Sequence, residues 1–249
     1  MFKFFCKEKI LFQKVSKYNS IKVLEEGDRV KLILDETGNI HSLLIRGKPI
    51  TYSYWDILIA SPLFLKNPRN ILILGYGAGT VARGVKIFFP EIEITGVEID
   101  SEVVRLGHEF FEAPKVEVII QDACEFVENN SKLYDIIISD IFLRSSIPES
   151  FQSEEFINKI SKSLTDYGIF MKNFTNIKEA TFFCEKALAL KSFEFTKILK
   201  SPESMNFIVL LSKRYISKDS LIKPDNEYLL SIYYYITSNL EIPGDFGYL

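Results

Sequence analysis

The sequence is poor in the residues that build metal centres and disulfide frameworks. Its 249 residues include three cysteines and two histidines. Cys6, Cys124 and Cys184 lie far apart and form no Cys-x-x-Cys pair, and His41 and His108 add too few donors for a ligand set, so no metal is expected. Isolated thiols suit a reducing compartment, and the expected location is the cytoplasm. No stretch approaches the roughly 18 apolar residues of a membrane span, so no membrane partner is expected. The first residues, MFKFFCKEKILF, break their apolar run with lysines and lack a small-residue cleavage site, which argues against a secretory signal. Basic residues are not in excess: 30 Lys and Arg against 33 Asp and Glu leave a net charge of −3, which argues against a nucleic-acid partner held by a broad basic face. Internal repeats and low-complexity segments are missing as well.

What is present is a globular composition, 47% hydrophobic and 25% charged, on a chain long enough to bury a sizeable core. Its periodicity changes once. From Ile10 to Ile50 the pattern is short and alternating, with turn signals at Glu36-Thr37-Gly38-Asn39 and Gly47-Lys48-Pro49, and it predicts a small antiparallel sheet. A helix is expected from Tyr54 to Leu65, with Pro62 able to kink or end it. From Asn70 onward, apolar strands at 71–74, 92–97, 116–120, 134–139, 169–172, 193–199 and 207–211 alternate with helices. Near-continuous apolar strands separated by helices predict a mainly parallel sheet covered on both faces. The expected division is 1–66, a small β domain with a linking helix, and 67–249, a Rossmann-like cofactor-binding domain.

The segment ILILGYGAGT carries the strongest chemical signal. Gly75, Gly77 and Gly79 follow a buried strand and precede a helix, where glycines permit a tight turn and close approach of a ligand to the backbone. Glu98 follows about twenty residues on at the next strand end, where an acid accepts hydrogen bonds from ribose hydroxyls. Thr80 stands where a dinucleotide fingerprint wants a third Gly or Ala, whereas Gly-x-Gly-x-Gly suits an adenosyl sulfonium. Asp122 ends the following strand; it can accept the adenine amino group with the Ala123 backbone beside it, or cap the helix after it. Asp140 ends the strand YDIIISD, where ligands of open parallel sheets sit. An acid there can hold or deprotonate an amine.

GYGAGT, VEID, QDACEF, YDIIISD and IPESFQSEEFINKISKSLTDYGIF together resemble the spermidine synthase (polyamine aminopropyltransferase) superfamily, over Ser20 to Lys213. The resemblance implies the class I adenosylmethionine-methyltransferase fold with a small amino-terminal β domain. It implies S-adenosylmethionine or its decarboxylated form as cofactor and a small-molecule amine as acceptor. Carried over, Gly75, Gly77, Gly79, Ile99 and Asp140 line the cofactor site, Glu98 addresses the ribose, and Asp122 and Ala123 address the adenine. Asp140 becomes the acid near the attacking amine, and TYSYWD puts Tyr54 and Asp56 near the acceptor. His41 stands near a family glutamine that helps to hold polyamine.

The sequence departs from the family at two acids. Ala78 replaces the aspartate of Gly-Gly-Gly-Asp-Gly that holds the aminopropyl amine. Leu143 and Arg144 replace the Asp-Pro of Asp-x-x-Asp-Pro. A polycationic acceptor needs several carboxylates, so the chain is expected to be a divergent transferase and not an authentic spermidine synthase. Methyl transfer from intact S-adenosylmethionine is the alternative, and a non-catalytic nucleoside-binding protein the second. Cys124, at a helix start where a thiol pKa can fall, is expected to pack in the core. The group Tyr228, Tyr233, Tyr234 and Tyr235 is expected on a carboxyl-terminal helix, packing on its own core or forming a homodimer interface.

Overall fold

A computed structural model describes residues 8–143 and 146–240. Cys6, Arg144 and the tail EIPGDFGYL lie outside the described residues. The alternating amino-terminal segments form a four-stranded antiparallel sheet paired in chain order: β1 (Lys9–Val15), β2 (Ser20–Glu26), β3 (Arg29–Ile33) and β4 (Ser42–Ile45). Period-two alternation puts Ile21, Val23, Val30 and Leu32 on one face, where they are fully buried. They pack against Val103 and Leu106 of the helix α3 (Ser101–Phe110). Between the two sheets, α1 (Trp55–Ile59) is shorter than the helix expected to Leu65. Pro62 cannot continue the hydrogen-bond ladder, and the chain tightens into a 3-10 turn over Ser61–Phe64.

The second sheet has seven strands. β5 (Asn70–Leu74), β6 (Glu93–Glu98) and β7 (Glu117–Ile120) run outward from the middle; β8 (Tyr134–Ser139) and β9 (Leu164–Phe174) extend the other side. β10 (Phe195–Lys200) and β11 (Phe207–Ser212) close that edge, giving the order β10-β11-β9-β8-β5-β6-β7. The five strands β5 to β9 are parallel; β11 is antiparallel to both β9 and β10. This is the expected α/β Rossmann-like architecture, with an antiparallel hairpin that apolar runs alone do not distinguish from parallel strands.

The central strands are buried on both faces. Ile71 and Ile73 join a core with α1, α2 (Thr80–Phe88) and α7 (Glu227–Leu240); Leu72 and Leu74 join another with α4 (Ala123–Asn129), α5 (Glu154–Lys162) and α6 (Ile177–Ala189). Ser153 caps α5 by accepting from Phe156 N. The helix α6, capped by Asn176 and buried through Ala180, Phe183, Cys184 and Ala187, had no counterpart in the sequence reading, because its inward face is built largely of small residues. On α7, Tyr228, Tyr233 and Tyr235 pack partly against the core and Tyr234 is exposed. Among the described residues no helix is long and apolar enough to cross a membrane.

The two sheets meet at the glycine loop. Thr80 Oγ1 accepts from Leu43 N at 3.0 Å and lies 3.3 Å from Leu43 O, and Ser42 Oγ accepts from Ala78 N at 3.0 Å, all buried. Thr80 therefore replaces a third Gly or Ala with a hydroxyl that docks β4. Thr80→Val keeps the shape but leaves the buried Leu43 N–H without its acceptor. The expected cost is about 1–3 kcal/mol, read as a lowered urea midpoint at unchanged slope.

Candidate active site

The parallel order reverses at β5, which pairs with β6 on one side and β8 on the other, and a cavity of about 940 Å³ opens beyond these carboxyl ends. Gly75 after β5, Glu98 at the end of β6, Gln121 and Asp122 after β7, Asp140 after β8 and Asn173 near the end of β9 all line it. The first sheet and its connection supply His41, Ser42, Tyr54 and Trp55.

Gly75 has φ +80°, and a Cβ there would lie 2.5 Å from the Asp140 carbonyl oxygen, so only glycine lets the loop after β5 pass this close to the backbone that follows β8. The amides of the loop are already engaged. Gly75 N and Tyr76 N donate to Val97 O, Gly77 N to Glu98 Oε2 at 2.9 Å, Ala78 N to Ser42 and Gly79 N to Tyr76 O. A pyrophosphate would need those donors and would meet the Glu98 carboxylate, so the loop suits a neutral or cationic ligand. Gly79 is the residue before α2, packed under Tyr76 and Ala113, and is not part of the cavity lining. Ala78 is also buried outside the lining. The Tyr76 ring lies over Gly96 of β6, where a Cβ would sit 2.4 Å from Tyr76 Cδ2.

Glu98 is pre-positioned. Oε2 accepts from Gly77, and Oε1 from Ile99 N at 3.0 Å and Asp100 N at 3.2 Å, filling three of about four acceptor positions. Burial pushes its pKa up, and those amides work against the rise. Asp122 Oδ1 caps α4 through Cys124 N and Glu125 N, as the capping reading expects, while Oδ2 has no protein partner among the described residues. Ile99 and Ala123 line the cavity beside these acids.

Asp140 is held by three side-chain donors. Oδ1 accepts from Asn173 Nδ2 at 2.8 Å, and Oδ2 from Tyr54 Oη at 3.1 Å and Trp55 Nε1 at 3.2 Å. Burial raises its pKa, and the three donors oppose the rise. Tyr54 stacks on Trp55 with centroids 4.3 Å apart, and burial, then the neighbouring Asp140 charge, holds its phenol well above the usual range, so it serves as a donor. Asn206 Nδ2 in turn donates to Asn173 Oδ1, tying the β10–β11 turn to the acid. Trp55 and Asn173 escaped sequence reasoning, since neither residue type marks a site alone.

The structure brings Asp56 to a different place. Its carboxylate accepts from Thr51 N and Oγ1 at 2.8 Å each and from Ser53 N, and it lines a smaller adjacent cavity instead of the main one. The local sequence Thr-Tyr-Ser-Tyr-Trp-Asp closes a turn on its own acid, which holds Tyr54 and Trp55 in position. His41 lines the cavity with Nδ1 accepting from Leu34 N and Nε2 3.6 Å from Asp35; burial lowers its pKa. Cys124 packs against the core, as expected, and burial pushes its thiol pKa up.

Lys172, unremarked in the sequence, is fully buried on β9. Its Nζ donates to Ser139 Oγ at 3.2 Å and is ringed by Phe151, Phe156, Phe174 and Phe183, with centroids 5.4 to 6.0 Å away. Burial lowers its pKa to about 7. Unfolded, a lysine keeps its proton up to about pH 10.4, so between the two values the unfolded state binds more protons and stability rises with pH. Relative to Lys172→Met, the wild-type protein is expected to gain stability between pH 7 and about 9.5, measured by urea unfolding of both proteins. Parallel pH profiles would show that Lys172 keeps its proton when folded.

A family model for the spermine/spermidine synthase domain matches residues 52–198. A probable polyamine aminopropyl transferase of Bifidobacterium longum is 30% identical over 74% of this chain and 42% of its own length. The chain spans between about two fifths and three fifths of the curated relatives it matches. Among solved structures, a spermidine synthase in complex with the transition-state analogue AdoDATO superposes with a TM-score of 0.75 at 19% identity, covering 94% of this chain and 85% of that one. Human methyltransferase-like protein 13 in complex with SAH gives 0.57 at 20% identity, over 77% and 93%. At such identities the likeness concerns the fold, a class I methyltransferase-like architecture. With a family model covering more than half of the chain, and with glycine loop and strand-end acids around one cavity, the chain belongs to the spermine/spermidine synthase family.

Proposed function

We propose that the chain is a transferase that alkylates a small-molecule amine with an adenosyl sulfonium, in a reaction of the aminopropyltransferase type. The observation that carries this reading is Asp140, fixed by Tyr54, Trp55 and Asn173 in the cavity that also holds Glu98 and Asp122. Three strand-end carboxylates facing one cavity that Glu203 also lines, with loop amides already satisfied, fit a cationic nucleoside better than an anionic one. The spermidine synthase solved with AdoDATO and the aminopropyltransferase relatives support the same chemistry.

Bound there, the sulfonium supplies a carbon activated for displacement, with a neutral thioether as leaving group. The residues supply the rest. Glu98 holds the ribose through its remaining acceptor position, and the free Oδ2 of Asp122 accepts from the adenine amine. Asp140 orients the acceptor amine and takes its proton as the new C–N bond forms; burial raises its pKa toward that of a useful base. Tyr54 and Trp55 keep their protons and hold the carboxylate in line.

Ala78 favours a second reading. It is buried outside the lining, so the loop presents no acid to an aminopropyl ammonium. Intact S-adenosylmethionine carries its own carboxylate and would need none, which supports methyl transfer.

Calorimetry with intact and decarboxylated S-adenosylmethionine separates the two readings by relative affinity. Glu98→Ala is expected to weaken binding of either by about 1.5–3 kcal/mol, the worth of hydrogen bonds to a charged group. Asp140→Asn is expected to lower turnover by about 10²–10⁴-fold with much less change in cofactor affinity, in an assay that detects nucleoside product from a panel of amines. Full activity of the Asn variant would eliminate Asp140 as base. Little or no spermidine is expected from putrescine and the decarboxylated cofactor, measured beside an authentic synthase; equal turnover would show that other acids replace those missing at 78 and 143.

A further inference from the structure

Lys172 has no part in the chemistry above, yet its setting is costly. A fully buried primary amine with three donors finds one hydrogen-bond acceptor, Ser139 Oγ, and no carboxylate within ion-pair distance among the described residues. The turn at Glu149–Gln152, α5, α6 and β9 each present a phenyl ring to it: Phe151, Phe156, Phe183 and Phe174. A methionine or leucine would fill such a cage at no electrostatic cost. The titratable groups that act on Lys172 are Asp140, beyond the end of β8, and to a lesser degree Cys124 on α4. Two features connect the cage with the cavity. Phe151 lines both, and Lys172 sits between Ser139, the neighbour of Asp140, and Asn173, its hydrogen-bond donor.

We propose that Lys172 is a positioning residue that balances the charge of Asp140 from behind the cavity wall, holding a proton while Asp140 lacks a cationic ligand and releasing it when one pairs with that acid. The inference rests on the reading of the cavity as an adenosyl-sulfonium site. The physical reason is that the anion of Asp140 is the main favourable charge acting on a buried ammonium. A bound cation cancels that charge, leaving the ammonium with the cost of burial alone, so its proton goes to solvent. A neutral nucleoside thioether leaves Asp140 unpaired, and Lys172 regains the proton. Cation binding would thus be coupled to proton loss, while product binding would not. Near pH 7, where Lys172 titrates, the exchange is largest.

The test is calorimetry of the full chain at pH 7 in buffers of different ionisation enthalpy, with decarboxylated S-adenosylmethionine and with methylthioadenosine. The wild-type protein is expected to release up to about half a proton per site with the cation and none with the neutral thioether. Its affinity for the cation should rise about fivefold from pH 6 to pH 8 when the cation lowers the lysine pKa by one unit, and about tenfold at most for larger shifts. Lys172→Met, which fills the same cage without a charge, should bind both ligands with no proton release and a flat pH profile. Equal release in Lys172→Met would give the proton to Asp140 itself and overturn the proposal. So would equal release with both ligands, or cation binding by the wild-type protein without release. The two wild-type comparisons need no variant and stand even if Lys172→Met fails to fold. Failure of the wild-type protein to bind either ligand overturns the reading of the cavity, and the inference with it.

Discussion

The site depends on a closed circuit of hydrogen bonds that starts and ends on the small sheet. Ser42 on β4 accepts from Ala78 of the glycine loop, and the next amide back, Gly77 N, donates to Glu98. Glu98 also accepts from Asp100 N, and Asp100 caps α3 while accepting from Ser16 Oγ and Asn19 Nδ2 in the β1–β2 turn. Each link satisfies a group that the adjacent link would otherwise leave bare, and a bare buried polar group costs more than a made hydrogen bond gains. The circuit ties Glu98, the glycine loop and the small sheet together. It also sets where the cavity walls can stand.

The electrostatics of the cavity follow from the same economy of donors. Glu98 and Asp140 are both pushed toward protonation by burial, and both are held against it chiefly by N–H or O–H groups instead of cations. Donors of this kind leave a net negative potential, whereas ion pairs would cancel it. A cavity finished in that way favours a cation that brings its own positive charge. The aromatic pair Tyr54 and Trp55 adds an apolar wall directly beside the anchored acid, so charge and shape are set by the same two side chains.

Much of this was legible in the chain. The acids Glu98, Asp122 and Asp140 stand at strand ends, and strand ends are marked by apolar runs stopping at a polar residue. The glycine loop was legible because its torsions exclude other residues. Asp56 shows the limit: a motif resemblance put it near the acceptor, but a turn over the six residues Thr51 to Asp56 brought its carboxylate onto Thr51 and Ser53, a local choice that no periodicity records. Trp55, Asn173 and Lys172 were missed for a common reason. Each owes its role to a neighbour far along the chain, and each lies in an apolar run that reads as ordinary core. The small-residue face of α6 and the antiparallel sense of β10 and β11 were hidden likewise, because burial is visible in sequence while strand direction is not.

Tyr76 and Gly96 carry a consequence for how such a chain can diverge. The ring occupies the space that any side chain at position 96 would fill, and its phenol oxygen is buried without a hydrogen-bond partner among the described residues. The order of replacements is therefore asymmetric. A glycine at 96 tolerates either a small residue or a ring at 76, but once the ring has entered, position 96 is locked, and reversal must begin at 76. Such a step works as a ratchet: the loop acquires a bulky residue through a permissive neighbour, and the neighbour then loses its freedom to vary.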